Sequence, residues 1–215
     1  MNSKNPKRTY AFIDASNLFY GGVKSLGWSI DYEKLLHYLR KKYDTSEAFY
    51  FGGVEIYDFP YNYLQNNSVP VGELAGYLQG LIARKGSAFT EAKLLLLDRH
   101  LRRVRFYLRL QEFGYKLFLK PVKLYDQDDG STKRKANCDV DMAFHLMKEK
   151  DNFDRAIILS GDGDFLPVLK YLKETGKDVL ILARGPRTAK ELRQFAGSNF
   201  RDFVRLENEI KFEEK

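Results

Sequence analysis

The stretch Ala156-Ile157-Ile158-Leu159-Ser160-Gly161-Asp162-Gly163-Asp164-Phe165 decides the architecture of this chain. Its first four residues are apolar without alternation, the pattern of a short strand buried on both faces of a parallel sheet. The strand stops at Ser160, and two aspartates follow at once, spaced by glycines. In open α/β sheets the carboxyl ends of the strands form the ligand crevice. Gly161 and Gly163 allow the tight backbone path that brings two carboxylates toward one point. Carboxylates held together without a counter-charge repel, and one must take up a proton. A divalent cation with oxygen ligands removes that cost. Helix capping near Phe165 by Asp162 or Asp164 accounts for one of these aspartates, but poorly for the whole segment.

Working outward, Val179-Leu180-Ile181-Leu182 reads as another buried strand, reached through a helix over 165–174 that Gly176 ends. Thr9-Tyr10-Ala11-Phe12-Ile13 reads as a buried strand whose carboxyl end carries Asp14, with Ser16 and Asn17 beyond it. Asp31 is placed to cap a helix from Tyr32, with Leu35, Leu36 and Leu39 as its apolar stripe. Ala48–Phe51 and Val54–Tyr57 read as a second strand, interrupted at Gly52-Gly53. Residues 58–88 read as an insertion or lid with one helix near 73–83. A long helix is expected over 91–113, burying Leu94, Leu97, Leu101, Val104 and Leu108, with Gly114 as its left-handed cap. Strands follow at 115–119 and 122–125, then a polar loop over 126–135. A helix over 138–150 has Val140, Ala143, Phe144 and Met147 as its expected buried face. A helix near 189–195, a strand near 200–204 and a fraying charged tail over 207–215 complete the chain. Strands alternating with helices predict an α/β fold with a mostly parallel central sheet covered on both faces.

The bulk numbers constrain function weakly. The chain has 215 residues and 44% hydrophobic content, which suits one domain with an insertion. Lysine and arginine outnumber aspartate and glutamate by 36 to 29, a formal charge of +7 that favours polyanionic partners. Cys138 is the single cysteine, which excludes an internal disulfide and a cysteine-rich zinc site. No run of about 18 apolar residues exists to span a membrane. The polar start Met1–Arg8 lacks the apolar core of a secretory signal, so a cytoplasmic protein is expected.

Asp14 supplies a third carboxylate at a strand end, and Asn17 has an amide suited to orienting water or phosphate. Alone they would read as a turn residue and an Asx turn; beside Asp162 and Asp164 they read as site residues. The segment Lys135-Ala136-Asn137-Cys138-Asp139-Val140-Asp141 offers two more. Asp139 and Asp141 diverge by about 200° on a helix, so both cannot face one metal. Periodicity leaves the choice between them open, and Asn137 or Asp139 also serves as a plain helix cap.

At these residues the chain resembles the NYN domain family, in the LabA-like branch of the PIN-like nucleases. Phe12-Ile13-Asp14-Ala15-Ser16-Asn17-Leu18 is similar to its first motif, and Lys135–Val140 to its central motif. Ser160-Gly161-Asp162-Gly163-Asp164-Phe165 with Gly176-Lys177-Asp178-Val179 is similar to its most diagnostic stretch. The resemblance spans 9–205, weakest over 58–88. It implies a PIN-like Rossmannoid three-layer sandwich as one domain over 1–206, with 207–215 as a tail. It also implies a metal-dependent ribonuclease using Mg²⁺ or Mn²⁺. The metal ligands it implies are Asp14, Asp139, Asp162 and Asp164, which selects Asp139 over Asp141, with Asn17 in the catalytic set and Ser160 in support.

Substrate guidance is expected from Lys133-Arg134-Lys135, just ahead of the central aspartate, and from Arg184 and Arg187 after a strand end. Each is equally a solvated charge. Tyr57, Phe59, Tyr61 and Tyr63 suit either base stacking or an edge strand packed on one face. His37, His100 and His145 read as structural or surface residues. The expected partner is RNA, with DNA open and a homodimer possible from the aromatic content. The alternative is a non-catalytic RNA-binding or assembly module on the same fold. A phosphatase using Asp14 as nucleophile is disfavoured, because Ser16 stands where such enzymes often carry a second aspartate.

Overall fold

The computed structural model describes residues 7–21, 23–62, 64–85, 88–126 and 132–213. In chain order the elements are β1 (Thr9–Asp14), α1 (Ala15–Gly21), α2 (Val23–Leu26), α3 (Tyr32–Tyr43), β2 (Thr45–Val54), α4 (Val71–Lys85), α5 (Glu91–Phe113) and β3 (Lys116–Pro121). They continue as β4 (Lys123–Asp126), β5 (Thr132–Lys135), α6 (Asp139–Lys148), β6 (Arg155–Leu159), α7 (Leu166–Glu174), β7 (Asp178–Ala183), α8 (Lys190–Ala196), β8 (Phe200–Asp202) and α9 (Glu207–Ile210). The central sheet has the order β3-β2-β1-β6-β7-β8 and is parallel, as the alternation of strand and helix predicts. The contacts divide the chain into two compact units, one of residues up to Phe51 with those from Asp139 onward, the other of Gly52–Cys138. Among the described residues no helix is long and apolar enough to cross a membrane.

In the first unit, β1 has β2 on one side and β6 on the other, so the chain winds one way from β1 and the other way from β6. That reversal is a topological switch point, where strand ends open a crevice. The register matters: Ile13 pairs with Leu159, so the next residues, Asp14 and Ser160, leave neighbouring strands side by side. Strands about 4.8 Å apart bring such neighbours into hydrogen-bonding range. The core below is apolar. Phe12 lies opposite Phe49 in the register, and their rings stack at 5.1 Å, with Phe153 edge-on to Phe12 at 5.7 Å. Each such buried ring contributes about 1.5–3 kcal/mol. Asp31 caps α3 as the sequence predicts, accepting from the Glu33 and Lys34 amides at 2.9 and 3.0 Å.

Several expectations are corrected here. The face of α6 that is buried carries Met142, His145 and Leu146, while Val140 and Phe144 are exposed. Both stripes are apolar at helical spacing, and His145 is the one drawn inward, against the rings of Phe49 and Phe51. The tail does not fray over its described part. Asp31 N–H bonds the Ile210 carbonyl at 2.8 Å, Phe212 N–H bonds that of Ser29 at 2.8 Å, and Ile210 is fully buried. The last strand is shorter than expected and gives way to a 3₁₀ turn over Phe203–Leu206.

In the second unit, α5 buries Leu97, His100, Leu101, Val104, Tyr107 and Leu110, whereas Leu94 and Leu108 are only half-buried. The stripe is rotated slightly from the leucine-based one, because His100 and Tyr107 take inward positions. Gly114, at φ 105°, closes the helix as predicted. The strand expected to break at Gly52-Gly53 runs through to Val54 and stops there. A Cβ on Gly53 would sit 2.6 Å from Ala136 Cβ, so glycine permits close packing there instead of an interruption. The Tyr107 hydroxyl donates to the Gly53 carbonyl at 2.7 Å and accepts from Arg103 Nε at 3.2 Å. Burial pushes that phenol up to about 12 despite the nearby guanidinium. The segment read as a polar loop over 126–135 is in part an antiparallel hairpin of β4 with β5, and 127–131 lie outside the described residues. No strand forms at 57–62. Tyr57 takes a left-handed φ of 48° with Lys93 Nζ over its ring at 4.9 Å, and Phe59 packs edge-on to Tyr77. Tyr63 lies outside the described residues.

Candidate active site

Asp14 is the last residue of β1 and is 92% removed from solvent, at 8% exposure. It caps α1: Oδ1 accepts the backbone N–H groups of Ser16 at 2.9 Å and Asn17 at 3.1 Å. Oδ2 accepts the Ser160 hydroxyl at 3.0 Å. Ser160 is fully buried, and its Oγ also accepts the Asp162 N–H at 3.2 Å. One serine thus ties the end of β1 to the loop after β6, across residues far apart in sequence.

The electrostatics of Asp14 are strained. Burial is the main influence and pushes its carboxyl above the ordinary carboxylate range. The Asn17 N–H, the Ser160 hydroxyl and the Ser16 N–H pull it back, while the negative charge of Asp139 pushes it further up. Asp139 opens α6, three and seven residues before the buried Met142 and Leu146, on the inward side of that helix. The inward stripe, not the one inferred from Val140, explains why Asp139 and Asp14 feel each other.

Asp162 and Asp164 are arranged differently. Asp162 Oδ1 accepts the Asp164 N–H at 3.0 Å and caps the 3₁₀ turn Gly163–Phe165, while Asp164 is exposed. Among the described residues, no group of three or more histidine, cysteine, aspartate or glutamate side chains is arranged to hold a metal ion. The structure therefore ties Asp14 to Ser160 at the crevice, sets Asp139 within electrostatic reach of Asp14, and engages Asp162 Oδ1 in its own loop while Asp164 is exposed. Asn17 contributes its backbone N–H to Asp14. The donor chemistry still suits a hard divalent cation, because it is all oxygen and the charge of Asp139 bears on the buried Asp14 carboxyl.

Gly161 is required by close packing against backbone, whereas Gly163 meets chiefly the flexible end of Glu191. A Cβ on Gly161 would lie 2.9 Å from Thr188 Cα, and one on Gly163 would lie 2.5 Å from Glu191 Oε1. The Gly161 carbonyl accepts the Ala189 N–H at 2.9 Å. Thr188 and Glu191 are site neighbours that the sequence reading did not single out. No motif marks them, and only the approach of the chain after β7 to the loop after β6 reveals them. Among the predicted cations, Arg184 is half-buried and bonds Asp202 Oδ2 at 3.2 Å, and Arg187 is exposed on the turn Gly185–Arg187. Lys133, Arg134 and Lys135 lie on β5; their side chains lie outside the described residues.

Comparison with known proteins agrees with this architecture. The sequence profile of the NYN domain matches residues 8–206. The chain is 21% identical over 192 residues to the low amplitude and bright protein LabA of Synechococcus elongatus, covering 87% of this chain and 80% of that one. The crystal structure of a protein of unknown function from Vibrio parahaemolyticus superposes with a TM-score of 0.63 at 17% identity, covering 99% of this chain and 100% of that one. The T5 D15 protein co-crystallized with metal ions gives a TM-score of 0.41 at 16% identity, over 87% of this chain and 59% of that one. The chain belongs to the NYN domain family.

Proposed function

We propose that this protein is a divalent-cation-dependent ribonuclease. The observation that carries the proposal is the buried Asp14 carboxyl under the charge of Asp139 at the switch-point crevice, where a cation would favour its ionised form. Mg²⁺ or Mn²⁺ would be held by Asp14 and Asp139, with Asp162 and Asp164 drawn in, and would supply charge neutralisation at the phosphodiester and activation of water. The chain's own residues do the rest. The Ser16 and Asn17 N–H groups and the Ser160 hydroxyl fix the direction of the Asp14 carboxylate. The Asn17 amide, at the entry of α1, is available to hold water or a phosphate oxygen. Lys133, Arg134, Lys135, Arg184 and Arg187 would meet the substrate backbone. RNA is the proposed substrate, in the cytoplasm, with no disulfide chemistry involved.

The test is incubation of purified protein with labelled single-stranded and structured RNA, and with DNA, in Mn²⁺ or Mg²⁺. Cleavage of RNA that disappears with EDTA and in Asp14→Asn and Asp162→Asn supports the enzyme. One observation favours a second reading, a non-catalytic RNA-binding module: among the described residues no group of three or more histidine, cysteine, aspartate or glutamate side chains gathers to hold a metal ion. RNA retention without turnover under every metal would select that module.

A further inference from the structure

A cavity of about 910 Å³ lies beside the outer edge of the sheet in the first unit. Its walls come from α3, the turn after β7, α8, β8, the turn after β8 and α9. Five cations line it, Lys42, Arg184, Arg193, Arg201 and Arg205, against two carboxylates, Asp202 and Glu209. Asp202 is already committed. Its Oδ2 accepts from Arg184 Nη1 at 3.2 Å and from Gly185 N–H at 3.0 Å, and its Oδ1 accepts from Val204 N–H at 3.1 Å. Lys42, Arg193, Arg201 and Arg205 make no ion pair with any described residue. Arg184 Nε is buried and has no hydrogen-bond partner among the described residues. One concave surface thus collects several positive charges that the protein does not neutralise.

A pocket with such an imbalance focuses field on small anions. Its volume suits a ligand of nucleotide size, for which pockets of roughly 300–1,000 Å³ are usual. The rings of Tyr38 and Phe200 add apolar wall beside the guanidinium groups. Arginine is the side chain whose planar donors match phosphate oxygens. The cavity is also joined to the acidic loop by a few residues of chain. Arg184, Gly185 and Pro186 line the cavity, while Thr188 and Ala189, just beyond, pack against Gly161.

We propose that this cavity binds the phosphate of a nucleotide, with Arg184, Arg201 and Arg205 as its principal donors. The nucleotide is either free or the terminal residue of an RNA strand. The site is separate from the aspartate crevice and needs no metal.

The experiment is isothermal titration of the full chain in EDTA with AMP, with a 5′-phosphorylated RNA pentamer and with its 5′-hydroxyl counterpart. It is done on wild type, on Asp14→Asn and on the double substitution Arg201→Gln with Arg205→Gln. Thermal melting checks that each variant is folded. The expected result is binding that Asp14→Asn retains and the double variant weakens by about tenfold or more, as loss of two charge-assisted contacts implies. Weakening seen with AMP identifies the free nucleotide as a source. Weakening seen only with the phosphorylated pentamer identifies the strand end. No binding of any probe up to about 1 mM, or binding that the folded double variant leaves unchanged, overturns the proposal. Because binding is read in Asp14→Asn without metal, its outcome is independent of whether the protein cleaves RNA.

Discussion

Asp14→Asn separates the requirements of folding from those of function. Asparagine retains an oxygen to accept the Ser16 and Asn17 N–H groups, and its amide nitrogen can donate to Ser160 Oγ where Asp14 Oδ2 now accepts from it. The substitution therefore keeps the bonding positions while removing a buried charge and its repulsion with Asp139. Replacing a buried charge by a neutral group of the same shape is neutral or stabilising, so the metal-free variant should match wild type or exceed it by up to about 1 kcal/mol. The sign with pH follows from the raised carboxyl of Asp14. Its contribution to stability is fully present below the pKa of the unfolded chain and is lost as pH rises through the folded-state pKa. The advantage of asparagine should accordingly be absent in acid, grow as pH climbs above the unfolded value and be complete above the folded one. Metal reverses the order. At a hundredfold excess over Kd, Mn²⁺ should stabilise wild type by about 2.7 kcal/mol, which is about 5–10 °C in Tm for a chain of this size. The variant should gain little. Urea titrations across pH 4–8 and thermal melts with and without Mn²⁺ measure both effects. A metal-free loss above about 1 kcal/mol at neutral pH, or equal Mn²⁺ gains in the two proteins, would rule out a cation held by Asp14.

Ser160→Ala strips the hydroxyl that serves both Asp14 Oδ2 and the Asp162 N–H, and should cost about 1–3 kcal/mol in urea denaturation. Because that hydroxyl favours the ionised form of Asp14, the loss should be larger at neutral than at acid pH. Gly161→Ala places a Cβ 2.9 Å from Thr188 Cα, backbone that cannot swing aside, so a loss of about 1–3 kcal/mol is expected, with reduced cleavage of RNA. At the opposite ends of the strands, Asp178 accepts Arg155 Nε at 2.8 Å and Asn199 Nδ2 at 3.1 Å. Burial opposes its ionisation, but Arg155 and Lys7 outweigh burial and hold its carboxyl below the ordinary range. Asp178→Asn should cost about 1–2 kcal/mol above the unfolded pKa, vanishing as pH falls through the folded one, and should leave RNA cleavage unchanged.

Short-range patterns carry much of the fold. Unbroken apolar runs at 9–13, 156–159 and 179–182 mark strands buried on two faces, because only a covered parallel sheet tolerates them. Asp31 and Gly114 mark helix ends, because caps satisfy backbone groups within a few residues. The placement of Asp14 and of the Ser160–Asp164 loop at strand ends follows from the same runs. Tertiary structure alone decided which of two overlapping apolar stripes on α6 turns inward, since Val140 with Phe144 and Met142 with Leu146 have similar spacing and hydrophobicity. The choice of the second stripe puts Asp139 on the inward side and within electrostatic reach of Asp14. The strand β5 was hidden for a related reason: the four polar residues Thr132–Lys135 carry no alternation, and only their pairing with β4, itself expected near 122–125, defines the hairpin. The basic cavity was equally invisible, because Lys42, Arg184, Arg193, Arg201 and Arg205 share no periodicity and meet only when α3 and the chain after β7 line the same hollow. Local geometry is encoded within a turn or a strand, whereas the charge that gathers in a concavity depends on which distant surfaces the packing brings face to face.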